Sequence, residues 1–160
     1  YALIHRCHWH KRENVLKYLN ENKQDHYRKR INKAYRSDDY DEARKLIKEI
    51  ITDLKTDNLS ASRSMEEGLE ETLTLHRLGL IEDFRRSFAT TNCIENLNSQ
   101  IVKYLRKVKY WKTSTQKHRW VASALLYVEN RMRKVNNYTK LSLMRKKIKH
   151  ELKIETNEVA

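Results

Sequence analysis

The chain has 160 residues, with 34 Lys and Arg, 21 Asp and Glu, two glycines, no proline and a formal charge of +13. So few turn-forming residues exclude a sheet-rich fold, and two cysteines, Cys7 and Cys93, are too few for a disulfide scaffold and suit a reducing cytoplasm. No apolar run is long enough to span a membrane and no charged-then-apolar leader is present, so no membrane partner is expected.

Along the chain, Ala2 to Cys7 reads as the end of a strand. A first helix is expected from about His8 to Leu19, on the spacing of Trp9, Val15, Leu16 and Leu19. A second covers Asn22 to Tyr35, with Tyr27, Ile31, Ala34 and Tyr35 on one face. A third, capped by Ser37 or Asp38, carries the stripe Tyr40, Ala43, Leu46, Ile47, Ile50, Ile51 and Leu54. The fourth runs from about Ser60 to Leu78 and ends at Gly79, followed by a connector over residues 80–91. The fifth extends from Asn92 to about Val108, where Tyr110 to Thr113 breaks the period. Thr113 or Ser114 caps a sixth that carries Trp120, Val121, Ala124, Leu125, Val128 and Met132. Asn136-Asn137 marks a turn, Leu141, Met144, Ile148 and Leu152 make a seventh helix, and the last eight residues read as frayed. The expected fold class is therefore mainly α, with about seven helices.

Charge is unevenly distributed. Residues 38–83 hold six Lys and Arg against thirteen acids, whereas residues 101–150 hold fifteen against the single acid Glu129. A segment that basic calls for a polyanion, most simply a phosphate backbone. Within it Lys103, Arg106, Lys107, Lys109, Lys112 and Arg119 are interleaved with Tyr104, Tyr110, Trp111 and Trp120, a mixture suited to phosphate contacts and to stacking on bases or sugars. The same aromatics also fit a packed core beneath a solvated basic surface.

Two motifs carry chemistry. Cys7-His8-Trp9-His10 is a Cys-x-x-His pair, but a structural zinc site needs a second such pair and none is present, so Cys7 and His10 are expected to be structural. In Thr90-Thr91-Asn92-Cys93-Ile94-Glu95-Asn96-Leu97-Asn98 the carboxylate of Glu95 falls in the first turn of a helix. Two readings stand side by side. Glu95 is the acid of a capping box with Asn92, or it is a metal ligand. There is no phosphate-binding glycine loop, no dinucleotide fingerprint and no Ser-His-Asp signature to support nucleotide hydrolysis or acyl transfer.

Four stretches taken in order, Arg6 to Val15, Ser64 to Gly79, Ser87 to Asn98 and His118 to Leu126, closely resemble the C-terminal half of Mutator-type transposases of bacterial insertion sequences. The resemblance runs to about residue 145. It implies a DNA strand-transfer enzyme with an RNase H-like core, in which two aspartates and one glutamate surround Mg²⁺ or Mn²⁺. Glu95 matches that glutamate, as catalytic residue and metal ligand, with Asn92 and Asn98 as supports. Cys7 and His10 match the pair that follows the second aspartate's strand. The implied organisation is the end of the catalytic core over 1–19, an α-helical insertion over 20–83, the glutamate-bearing helix over 84–112 and basic C-terminal helices over 113–160. The core's strands would then lie mostly outside the chain. Implied partners are double-stranded DNA, both transposon ends and target, and a second copy in a homo-oligomer; the implied location is the bacterial cytoplasm, at the nucleoid. The aspartates are expected upstream of Cys7, so the chain is expected to be part of something longer, to be inactive alone and to bind no metal tightly. The alternative is a stand-alone all-α DNA-binding or regulatory module without an active site.

Overall fold

The computed structural model describes residues 2–153, and among them the chain is mainly helical, with no strand. The fraying expected at the C-terminus falls almost entirely outside these residues. The helices are α1 (His8–Leu16), α2 (Glu21–Arg36), α3 (Tyr40–Asp57), α4 (Leu59–Glu66), α5 (Leu69–Thr72), α6 (Thr74–Arg77), α7 (Ile81–Phe88), α8 (Asn92–Leu105), α9 (Ser114–Glu129) and, after a 3₁₀ turn at Tyr138–Lys140, α10 (Leu141–Glu151). They form two compact units, one from residues up to Thr90 together with those from Asn136 onward, the other Thr91–Val135.

The first unit is organised by α3. Ala43, Ile47, Ile50, Ile51 and Leu54 recur at helical spacing and are all buried, making a stripe against α2 and α4. The cap is Asp39 and not the expected Ser37 or Asp38: its side chain accepts a hydrogen bond from the Glu42 amide at 2.7 Å, while the Ser37 hydroxyl donates to the Glu42 carboxylate at 2.5 Å. Asn58 ends α3 and caps α4, accepting from the Ala61 amide at 3.0 Å and donating to the Tyr18 carbonyl at 2.8 Å. From α1 and the turn after it, Val15, Leu16 and Leu19 join Tyr27, Ile31, Ala34 and Tyr35 of α2 and Met65 of α4 in the same core.

Three further expectations from the sequence are corrected in detail. The single helix expected from Ser60 to Leu78 is α4, α5 and α6, because Gly68 adopts φ +63° and breaks the helical path. The left-handed backbone is what favours glycine there; a Cβ would also stand 2.5 Å from Nε of Arg6, whose flexible side chain would have to shift. The connector after Gly79 contains α7, whose Ile81 and Phe84 are buried. Gly79 itself stops α6 as expected: its amide donates to the His76 carbonyl at 2.7 Å and the Leu80 amide to the Leu75 carbonyl at 2.8 Å, closing a Schellman turn with Leu75 and Leu80 both buried.

The third correction concerns residues 2–7, which form no strand. They run as irregular chain whose hydrogen bonds go to helix ends rather than to a ladder. The Arg6 amide donates to the Glu71 carbonyl at 3.1 Å, the His8 amide to the Ala89 carbonyl at 2.9 Å, and Thr74 Oγ1 to the Ile4 carbonyl at 2.6 Å. The Arg6 guanidinium pairs with Glu71 and Glu67, and Lys11 Nζ donates to the Glu67 carbonyl.

His8 lies at the centre of this joint. It is buried, its Nε2–H donates to the Thr72 carbonyl at 2.7 Å, and its ring stacks on Tyr35 with centroids 4.1 Å apart. His5 and His76 approach the same ring at 5.3 and 5.8 Å. Burial is the main reason that all three imidazoles have lowered pKa values, that of His8 to about 3.

Two predictions follow from the joint. Because the folded histidines hold their protons less tightly than the unfolded ones, whose pKa lies near 6.5, stability is complete above that value and falls as pH drops toward 3. Between pH 6.5 and 5, above the range where carboxylates titrate, the unfolding free energy from urea titrations should decline by up to about 1.4 kcal/mol per pH unit for each histidine held neutral. His8→Gln, which keeps a donor for Thr72, should shallow that decline; an unchanged pH profile in the variant would show that His8 does not carry it. Separately, Gly68→Ala should lower the unfolding free energy measured by urea titration by about 1 to 2 kcal/mol, since the left-handed backbone disfavours a Cβ and the Arg6 side chain would have to shift.

Candidate functional site

The candidate site lies on the second unit, where α8 and α9 pack against each other as a helical hairpin. Its first helix starts one residue earlier than a capping box on Asn92 requires. Thr91 is the residue before the helix, Asn92 is already helical, and the Glu95 amide donates to the Thr91 carbonyl at 2.9 Å. The Glu95 carboxylate accepts from Thr91 Oγ1 at 2.6 Å. The capping-box reading of Asn92 and Glu95 is therefore corrected in register: Thr91, not Asn92, is the residue before the helix, and its hydroxyl donates to the Glu95 carboxylate. Asn92 and Asn98 stand one turn to either side of Glu95, and all three are exposed.

An exposed carboxylate on a helix is the hard oxygen donor that Mg²⁺ or Mn²⁺ takes. One such ligand does not make a site. Among the described residues no group of three or more His, Cys, Asp and Glu side chains is placed to hold a metal ion, so the further acidic ligands would have to come from elsewhere.

The six basic residues singled out in the sequence are all exposed. Lys103 is in the last turn of α8, Arg106 and Lys107 follow it, Lys109 and Lys112 lie in the segment joining the helices, and Arg119 is in the second turn of α9. They therefore lie at or near the loop end of the hairpin. Among the described residues none of the six forms a salt bridge, and the unit holds ten Lys and Arg against Glu95 and Glu129. Cations of the first unit behave differently. Arg12 pairs with Glu13, Lys23 with Asp57, Arg30 with Asp53, Arg44 with Glu70 and Arg85 with Asp38.

Of the interleaved aromatics, Tyr104 and Tyr127 contact each other at 4.9 Å, and the Arg131 guanidinium sits 4.1 Å over the Tyr127 ring. Ala124 and Val128 are the buried residues of the hairpin. Large apolar side chains nevertheless stay open on it, among them Ile94, Val102 and Leu126, each more than half exposed.

The Cys-x-x-His motif belongs to the first unit. Cys7 sits half-buried at the N-terminus of α1, where its carbonyl accepts from the Lys11 amide at 3.0 Å, while His10 is exposed with Trp9 edge-on to its ring. The buried member of the motif is His8, the residue that the spacing skips. The cluster of His5, His8, Tyr35 and His76 was not legible in the sequence, since its members lie far apart in the chain and the only signal was the density of histidines near Cys7. The same is true of Arg85, which joins α7 to Asp38 and to the Arg36 carbonyl.

No helix among the described residues is long and apolar enough to cross a membrane. No curated protein and no solved structure matches the chain. The family described as Transposase, Mutator family, matches residues 1–133, which is most of the chain and includes the Cys-x-x-His motif, Glu95 and all six basic residues of the hairpin. The chain belongs to the Mutator family of transposases.

Proposed function

We propose that the chain supplies the glutamate and a DNA-contacting surface to a DDE-type transposase, which cleaves and transfers DNA strands with Mg²⁺ or Mn²⁺. The observation that carries this reading is the division of charge: acids neutralise many cations of the first unit, while the hairpin bearing Glu95 presents Lys103, Arg106, Lys107, Lys109, Lys112 and Arg119 with no salt bridge. Unpaired ammonium and guanidinium groups gathered at one end of a hairpin suit the phosphates of double-stranded DNA, at transposon ends or target.

Glu95 is the catalytic residue in this reading. Divalent metal supplies Lewis-acid stabilisation of a phosphoryl displacement when two further carboxylates complete its site. The chain's own part is to hold one carboxylate at the start of α8, where Thr91 Oγ1 donates to it. Asn92 and Asn98 support it from the neighbouring turns. Residues 1–19 are the end of the RNase H-like core, 20–83 its α-helical insertion, 84–112 the glutamate-bearing helix and 113–160 the basic C-terminal helices. Cys7 and His10 are structural, at the joint that seats the core's end on the insertion. The complete enzyme works as a homo-oligomer at the bacterial nucleoid.

A titration of the chain with duplex DNA at several salt concentrations tests the surface. Log affinity should fall linearly with log salt, and replacing Lys103, Arg106, Lys107 and Lys109 by alanine should flatten the slope by about 3 to 4, close to one unit per lost phosphate contact. Identical slopes would place the DNA elsewhere. For Glu95→Gln, the amide oxygen still accepts from Thr91, so stability should change by less than about 1 kcal/mol and DNA binding should persist. In a transposase that includes the aspartate-bearing core, the same change should abolish strand cleavage; normal cleavage would reduce Glu95 to a helix-start residue.

A further inference from the structure

We infer that Tyr110 is a stacking platform for an unpaired DNA base, so that the hairpin recognises distorted or single-stranded DNA in preference to intact duplex. The inference rests on the DNA-contact reading of the hairpin and adds a specificity that phosphate contacts alone do not provide.

Tyr110 is the most open large apolar side chain among the described residues, 72 % exposed. The other tyrosines of the unit, Tyr104 and Tyr127, are engaged with each other and with Arg131. The segment presenting Tyr110 is fixed at both ends. The Val108 amide donates to the Leu105 carbonyl at 2.8 Å; on the other side Thr113 Oγ1 accepts from the Gln116 amide at 3.1 Å and Gln116 Oε1 accepts from the Lys112 amide at 2.9 Å. The ring is therefore held out from an anchored loop with exposed Lys109 and Lys112 on either side.

That arrangement has a specific chemical preference. Inside a duplex both faces of every base are covered by neighbours, so an aromatic ring gains little by approaching. An unpaired or extrahelical base offers a bare π-face, while the flanking ammonium groups take its phosphates. The preference is for base planarity rather than identity, because Tyr110 stacks on any base.

The test uses the chain itself and two DNAs, a blunt duplex and the same duplex carrying one extrahelical 2-aminopurine. The wild type should bind the bulged DNA about tenfold more tightly, the size of one stacking contact, and should quench the aminopurine fluorescence. Tyr110→Ala should lose both the preference and the quenching while keeping the wild-type affinity and salt slope for plain duplex. Tyr110→Phe should retain both, since the ring and not the hydroxyl stacks. Equal binding of the two DNAs by the wild type, or an undiminished preference in Tyr110→Ala, would overturn the inference with the DNA-contact reading intact. Failure to bind either DNA would remove that reading, and the inference with it.

Discussion

The packing of the first unit depends on keeping one imidazole neutral and out of water. His8 sits where α1, α2, α5 and α7 meet: its ring nitrogen donates to the Thr72 carbonyl, its face lies on Tyr35, and its backbone amide holds the Ala89 carbonyl at the end of α7. A charged imidazolium in that position would lose hydration and face two further histidines, which is why its pKa falls so far. The surrounding polar contacts assume the neutral ring. Arg6 on Glu67 and Glu71, Lys11 on the Glu67 carbonyl and Thr74 on the Ile4 carbonyl all fasten the irregular N-terminal segment to the turn that Gly68 makes possible. The Cys-x-x-His spacing thus marks a structural joint whose working residue lies between the two named positions.

Charge is the second organising term, and it acts differently in the two units. The acids of residues 38–83 meet cations of α2, α3 and α7, giving a partly neutralised helical body. Exposed pairs of this kind contribute little stability individually, but they leave that surface with a reduced field. In the hairpin only Glu95 and Glu129 oppose ten cations, so its field is uncompensated and projects from the loop end. Under the proposed function the hairpin would hold a polyanion and position an acid beside it, since Glu95 lies at one end of α8 and the basic cluster starts near the other.

Much of the fold was legible from pattern. The α3 stripe, the stop at Gly79 and the cap at Thr113 are local consequences of side-chain shape and hydrogen bonding, and a helix carries such signals in adjacent residues. Less legible were the features that depend on contact between distant segments. Gly68 read as an ordinary helix position until Arg6, far away in sequence, was placed beside it. The residues of α7 read as a connector because only Ile81 and Phe84 are buried in so short a helix. At the candidate site, sequence singled out Glu95 and the basic residues but put the cap on Asn92; the structure puts it one residue earlier, on Thr91, whose hydroxyl donates to the Glu95 carboxylate.

The sequence by itself determined that the chain is helical, that its basic charge is concentrated in the second half, and which family its motifs belong to, because composition, periodicity and motif order are properties of neighbouring residues. Tertiary structure decided which of those charges remain without acidic partners, which histidine of the cluster is buried, and that residues 2–7 dock on helix ends instead of forming a strand. Those outcomes depend on desolvation and on the meeting of groups dozens of residues apart, and neither is encoded in any local window of the chain.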